Sequence, residues 1–475
     1  MDACSFRSLI RFSFGLAWAS SAAAVTSQSV PLSAPLPGIP ASVTSFWTGP
    51  GTTDVFYRGD ESLDGNESTV VYRATADGSG SSTVAARPEW YEYSDVIAIA
   101  QGGDHVVEQT VEYLDEYWYE LTLSAWETES ATSVVLWSAF GEYVDHTEFR
   151  ISPDGTQVVF IVPAEGFFEP STLYGVPIDR SSPVKLLDTW VSSIFVITPD
   201  SLRAVYSTSY AQYGLRSVAA DDSQPPLTLA VLGSSDFVRE IQITPDGSRA
   251  LYRVGDGLFS VPLDASAPPV ELNGPLVSGG LVNAFQISPD GTRAVYLADQ
   301  AVNERFELFE VPVDGRSRAR RLNGPLVAAG DVQSDFRISG DGEHVGYRAD
   351  QSADEVFELY SADLARTPRV RAPGGTASSA PRRRKLNAPL VAGSDVLSFL
   401  ISPDGTRVVY RADGLQFRRF ELFGVLIDGC ATAVPISGTL VLNGDVQPEF
   451  VFSPDGKHVA YRADALENEV FELFG

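Results

Sequence analysis

One ten-residue stretch constrains this chain more than any other, because it repeats: Ile287-Ser288-Pro289-Asp290-Gly291-Thr292-Arg293-Ala294-Val295-Tyr296. It returns at residues 243–252, 401–410 and 452–461, with weaker copies starting at Ile151, Ile197 and Ile338. Ser-Pro-Asp-Gly is a tight turn. Proline presets φ at the second position, aspartate bonds its own backbone, and glycine takes the left-handed conformation that other residues resist. Apolar residues alternate on either side (Phe285 and Ile287, then Ala294 and Tyr296), so each copy reads as a hairpin. Residues 306–313 then predict a third strand. Arg321-Leu322-Asn323-Gly324-Pro325-Leu326 predicts a short fourth, and both segments recur downstream.

Four short antiparallel strands cannot bury both faces alone, whereas sheets stacked side by side cover one another. Helical periodicity is almost absent past the N-terminus. The spacing therefore predicts an all-β chain, a single β-propeller of four-stranded antiparallel blades, about eight to nine in number. The turn position falls at residues 51, 102, 154, 200, 246, 290, 341, 404 and 455, the first two in degenerate copies. Residues 31–36 resemble the fourth strand at 385–390, while the chain ends on a third strand at 471–474. That pattern predicts a ring closed by the N-terminal strand pairing with the C-terminal blade. Ser201 replaces the turn glycine in one copy, so strain or a different turn is expected there.

The succession Ile/Phe-Ser/Thr-Pro-Asp-Gly, Val-x-Tyr-Arg-Ala-Asp and Phe-Glu-Leu-Phe resembles the TolB-like propeller repeat, a relative of the WD-repeat family. Seven copies carry it, which is a signal for fold more than for activity. The resemblance implies work through protein partners in the periplasm, as in the family's best-known member. The additional N-terminal α/β domain of that member is not expected here, because repeats begin directly after the leader.

Residues 1–24 read as a signal peptide: Arg7 and Arg11, an apolar run at 12–18, then Ala22-Ala23-Ala24. The run is too short to span a bilayer and no later stretch is apolar enough. The expectation is an exported monomer, periplasmic or extracellular, without a transmembrane segment, whose propeller fills residues 25–475. A formal net charge of −28 argues against nucleic acid as a partner. The two cysteines, Cys4 in the leader and Cys430, provide no disulfide framework.

No catalytic, cofactor or metal residues emerge. His105, His344 and His458 share one repeat position, held elsewhere by Arg203, Arg249, Arg293 and Arg407. In different blades they cannot converge on a metal. No Gly-x-Ser-x-Gly elbow marks a serine hydrolase. Arg348 with Glu358, Arg411 with Glu421, and Arg462 with Glu472 read as cross-strand ion pairs. The six tryptophans past the leader all precede residue 191 and suit core filling, with an aromatic recognition surface as the alternative.

The loops between second and third strands are assigned Asp60, Glu61, Asp64, Asp115, Glu116, Asp350, Asp354, Glu355, Glu467 and Glu469. They predict one acidic face, suited to a basic protein segment or to Ca²⁺. The opposite face carries a basic segment, 366–385, expected as a disordered loop, with a docking patch for an anionic partner as the alternative. The resulting reading is an exported binding scaffold that mediates protein–protein interaction and is not an enzyme. A calcium- or glycan-binding lectin-like propeller is the alternative, followed by a propeller-fold lyase or hydrolase.

Overall fold

The computed structural model describes residues 43–474 apart from 49–53, 64–65, 76–82, 87–91, 114–118, 131, 142–146, 165–168, 210–212, 365–380, 454 and 467–471. These residues form nine antiparallel sheets, eight of four strands and one of three. The sheets span 43–86, 92–141, 149–189, 191–231, 238–271, 282–321, 337–385, 396–435 and 446–474. Strands within each are adjacent in chain order, which is the blade of a β-propeller. Numbered one to nine, the blades match the nine turn positions of the sequence. The strand expected to complete blade nine, residues 31–36, and the segment expected as a leader, 1–24, lie outside the described residues. Two compact units divide the chain, one with 31–303 and 310–320, the other with 304–309 and 321–475, the division falling within blade six. No helix among the described residues is long and apolar enough to cross a membrane.

The turn chemistry is as the sequence dictates. Gly291 N donates to Ser288 O at 2.8 Å, and Gly247, Gly405 and Gly456 repeat the bond, all with positive φ. Ser288 Oγ donates to Asp290 Oδ1, which also accepts Thr292 N at 3.0 Å, so the turn satisfies its own amides. Ser201 keeps the same turn, its N donating to Thr198 O at 2.8 Å, and holds φ at 64°. Of the two outcomes expected there, strain is the one found. Its Oγ accepts Asp154 N from the preceding blade's turn at 2.9 Å, which offsets part of the cost.

Second and third strands are buried nearly end to end, because neighbouring blades cover both of their faces. Leu359 and Leu386 of blade seven close on Val396, Phe399, Val408 and Tyr410 of blade eight in one apolar cluster. Leu422 of blade eight and Phe450 and Tyr461 of blade nine form the next. Inside blades five, seven, eight and nine an aromatic pair sits directly across the second and third strands. Tyr252–Phe259, Tyr347–Tyr360, Tyr410–Phe423 and Tyr461–Phe474 stack with centroids 5.2–5.8 Å apart. Each is worth about 0.5–1.5 kcal/mol beyond its buried area.

Three expectations need correction. The fourth strand is shorter than 321–326, at Arg320–Arg321, because Asn323 leaves the sheet. Its Oδ1 accepts Leu308 N at 2.9 Å, standing in for a main-chain carbonyl, as Asn273 does for Leu258 and Asn387 for Leu359. The basic segment is not loop throughout: Arg383–Lys385 is the fourth strand of blade seven. There Arg384 pairs with Asp363 at 2.7 Å and Lys385 with Glu358. Residues 366–380 lie outside the described set. Finally, Cys430 is disulfide-bonded, against the expectation of no disulfide, and its partner lies outside the described residues.

Burial pushes the repeat tyrosines Tyr206, Tyr252, Tyr296, Tyr347 and Tyr410 above the usual phenol range, Tyr347 and Tyr410 to about 12. A pKa raised by folding gives stability that is complete below the unfolded value, about 10, and is lost as pH rises through the folded one. The share of phenolate absorbance that belongs to these five of the 18 tyrosines should therefore be missing past pH 10 and appear together with loss of circular dichroism. Ionisation of all 18 near pH 10 with the fold intact would contradict this burial.

Candidate functional site

The repeat's polar residues are largely engaged in holding blades together. Asp331 Oδ1 accepts Phe306 N at 2.7 Å, and Val332 N donates back to Phe306 O at 3.0 Å. Asp331 N in turn donates to Asp350 Oδ1 at 2.5 Å. Asp395 repeats the joint with Phe357 N at 2.8 Å and Asp413 Oδ1 at 2.9 Å, and Asp445 with Phe420 N at 2.7 Å and Asp464 Oδ1 at 2.5 Å. Burial and the nearby charge of Asp413 raise the Asp395 carboxyl above the usual carboxylate range. Asp350, Asp413 and Asp464 are only 3–5% exposed. Asp350 is thus a structural acceptor, not the partner-facing acid expected of it.

Two of the three expected ion pairs, Arg348–Glu358 and Arg411–Glu421, are not made, and the side chain of Glu472 lies outside the described residues. Ala349, not Arg348, stands opposite Glu358, and Ala412 opposite Glu421. One residue along a strand turns the side chain to the other face. Arg348 instead meets Asp335 on the first strand side of its blade at 2.8 Å and donates to Val396 O of the next blade at 2.9 Å. Arg253 does the same with Glu240 at 3.0 Å and Val282 O at 2.9 Å. Arg411 donates to Val446 O at 2.6 Å and lies 4.1 Å over the Phe420 ring, while Arg462 approaches Glu449 at 3.8 Å. Glu240 and Asp335 are therefore paired in place, whereas Arg462 and Glu449 both stay more than half exposed. His344 Nδ1 lies 3.2 Å from Asp363. No group of three or more potential metal ligands occurs among the described residues. Trp137 packs against Phe160, with ring centroids 5.6 Å apart.

Of the predicted acidic face, Asp60 and Glu61 lie within the second strand of blade one, opposite Thr69 and Ser68, rather than in a loop. Asp64, Asp115, Glu116, Glu467 and Glu469 fall outside the described residues. Asp354 and Glu355 are exposed on the loop of blade seven.

That loop has a counterpart in blade eight with the same backbone and different side chains. Asp350 Oδ2 accepts Glu355 N at 3.3 Å, and Asp413 Oδ2 accepts Arg418 N at 2.9 Å. Glu355 and Arg418 share the left-handed conformation, with φ of 57° and 62°. Where blade seven places Ser352, Asp354 and Glu355, blade eight places Leu415, Phe417 and Arg418. Leu415 is 58% exposed and Phe417 51%. In the connection to blade nine, Leu442 is 82% exposed where the equivalent residues are Ala328 and Ala392. The loop of blade eight touches this connection through Arg419, which donates to Leu440 O at 3.1 Å, while Phe417 itself lies against the connection entering blade eight, where a Cβ added at Gly393 would meet its ring at 3.3 Å. An apolar surface with one exposed guanidinium is the candidate site. Counting charges per loop hides it, whereas aligning the loops on their closing aspartate reveals it.

No family model matches the chain, and no curated protein matches it. Among solved structures it is similar to a eukaryotic initiation factor, with 10% identity and a TM-score of 0.53 over 86% of this chain and 91% of that one. It is also similar to Porphyromonas gingivalis dipeptidyl peptidase 4, with 13% identity and a TM-score of 0.47 over 88% of this chain and 55% of that one. An oligogalacturonate lyase in complex with manganese gives 13% identity and a TM-score of 0.39, over 68% and 90%. The first of these supports a shared fold and nothing about activity.

A double-mutant cycle checks the ion-pair assignment. Arg348 and Asp335 should couple by about 0.2–1 kcal/mol, as partly exposed pairs do. Arg348 and Glu358 should couple within about 0.3 kcal/mol of zero. The reverse ranking would restore the pairing read from the sequence.

Proposed function

We propose that this chain is a β-propeller binding scaffold whose partner is a protein. One observation carries the reading. The polar residues that repeat from blade to blade are engaged in joints, while one group of exposed departures from the repeat, Leu415, Phe417, Arg418 and Leu442, lies on touching loops of blade eight and of its connection to blade nine. Exposed apolar clusters of this kind mark interaction surfaces on soluble proteins. Side chains that vary on a constant scaffold are where binding specificity resides. The likeness of the Ser-Pro-Asp-Gly succession to TolB-like repeats agrees with such a role, and the leader at residues 1–24 agrees with a site of action in the periplasm or outside the cell. A catalytic role draws no support from Glu240 and Asp335, each held by an arginine.

The test is affinity capture with the full chain from envelope and culture fractions, with Ca²⁺ and with chelator, alongside the Phe417→Asp variant. The expected result is one saturable protein partner, insensitive to chelator and weakened at least about tenfold by the substitution, the loss typical of a hot-spot residue. Capture that needs Ca²⁺ would favour a cation-dependent lectin-like propeller. Absence of any protein partner would overturn the proposal.

A further inference from the structure

We infer that the loops of blades eight and nine take a short acidic–apolar peptide segment. A branched aliphatic or aromatic side chain seats among Leu415, Phe417 and Leu442, and a neighbouring carboxylate meets Arg418. This rests on the scaffold reading and gives it a partner chemistry.

Charge decides the partner. The chain carries a net −28, and the arginines around the patch are engaged: Arg348 with Asp335, Arg411 with Val446 O, Arg419 with Leu440 O. Arg418 is exposed and makes no side-chain hydrogen bond or ion pair among the described residues. Its guanidinium instead lies 5.2 Å over the Phe417 ring, which fixes a cation beside an apolar surface. The same backbone position holds Glu304 in blade six and Glu355 in blade seven, both exposed or part-exposed with φ of 62° and 57°. Blade eight therefore reverses the charge at a position whose conformation is unchanged. Leu442 replaces alanine in the adjoining connection, so two loops depart from the repeat toward one chemistry. Arginine, an aromatic ring and desolvatable aliphatic area together are the composition of an interface anchor. Asp354 and Glu355, exposed on the neighbouring loop, oppose a carboxylate placed toward blade seven. That repulsion sets which way the segment lies.

The test uses a phage-displayed library of random dodecapeptides panned on the full chain, with enriched peptides resynthesised and followed by fluorescence anisotropy. Three variants are compared with the parent: Phe417→Asp, Arg418→Glu and, as an exposed control outside these loops, Leu202→Asp. Phe417→Asp and Arg418→Glu import the residue types of blade seven at the same backbone positions, so the fold is retained, and far-ultraviolet circular dichroism verifies it. The expected result is enrichment of peptides with Asp or Glu within two residues of Leu, Ile or Phe. Their Kd should rise at least tenfold in both patch variants, stay unchanged in Leu202→Asp, and weaken with salt. Peptides that are basic, or that bind the patch variants as well as the parent, overturn this inference and leave the scaffold reading standing. No enrichment at all counts against both. Concentration-dependent self-association that Phe417→Asp abolishes would assign the patch to a second copy of the chain and overturn the peptide proposal.

Discussion

A carboxylate that accepts a backbone amide across a blade joint is the interaction on which the rest of this structure depends. Sheets stacked face to face bury apolar side chains well but leave the entry of each third strand with an amide that no ladder partner reaches. Asp331, Asp395 and Asp445 supply the acceptor for Phe306, Phe357 and Phe420. A buried amide left without one costs about 1–3 kcal/mol. A second aspartate, Asp350, Asp413 or Asp464, then holds the first one's own amide, so each joint is fixed from both sides. Blade six keeps part of the device. Asp299 accepts Leu281 N at 2.5 Å, and Val282 N donates to Asp256 O at 2.8 Å as Val332 N does to Phe306 O, but leucine stands where the bridging aspartate would and offers no carboxylate.

This use of aspartate changes what the composition means. The net charge of −28 suggests an acidic surface, and the loops after each Arg-Ala-Asp look like its source. Yet Asp299, Asp350, Asp413 and Asp464 are 2–5% exposed and bonded to amides. They are charges of the interior, placed where backbone donors converge, and they contribute little to the field a partner meets. The side chains left to vary are those at the loop crests. There blade seven is acidic and blade eight is apolar and basic, on one backbone geometry.

Much of the fold was legible because its determinants are local. Proline, aspartate and glycine at fixed offsets specify the turn wherever they occur, and alternation around Tyr296 or Tyr410 specifies the flanking strands. What escaped depends on register or on mimicry. Arg348 and Glu358 are close in sequence pattern, but pairing sets Ala349 opposite Glu358 and turns Arg348 toward Asp335 and the next blade. The fourth strand reads longer than it is because the Asn323 side chain imitates a strand carbonyl while the chain departs. The lysine and arginines of 383–385 read as part of a loop until Asp363 and Glu358 are seen to await them across the sheet. The apolar crest of blade eight was present in the letters all along, and comparison of equivalent loop positions is the operation that exposes it.

Native-state hydrogen exchange at the amides of Phe306, Phe357 and Phe420 tests the joint most directly. All three should be protected with free energies near those of the third-strand amides that follow them. In Asp395→Ala, protection at Phe357 alone should fall by about 1–3 kcal/mol. Exchange at these three positions as fast as at exposed loop amides in the unaltered protein would contradict the account.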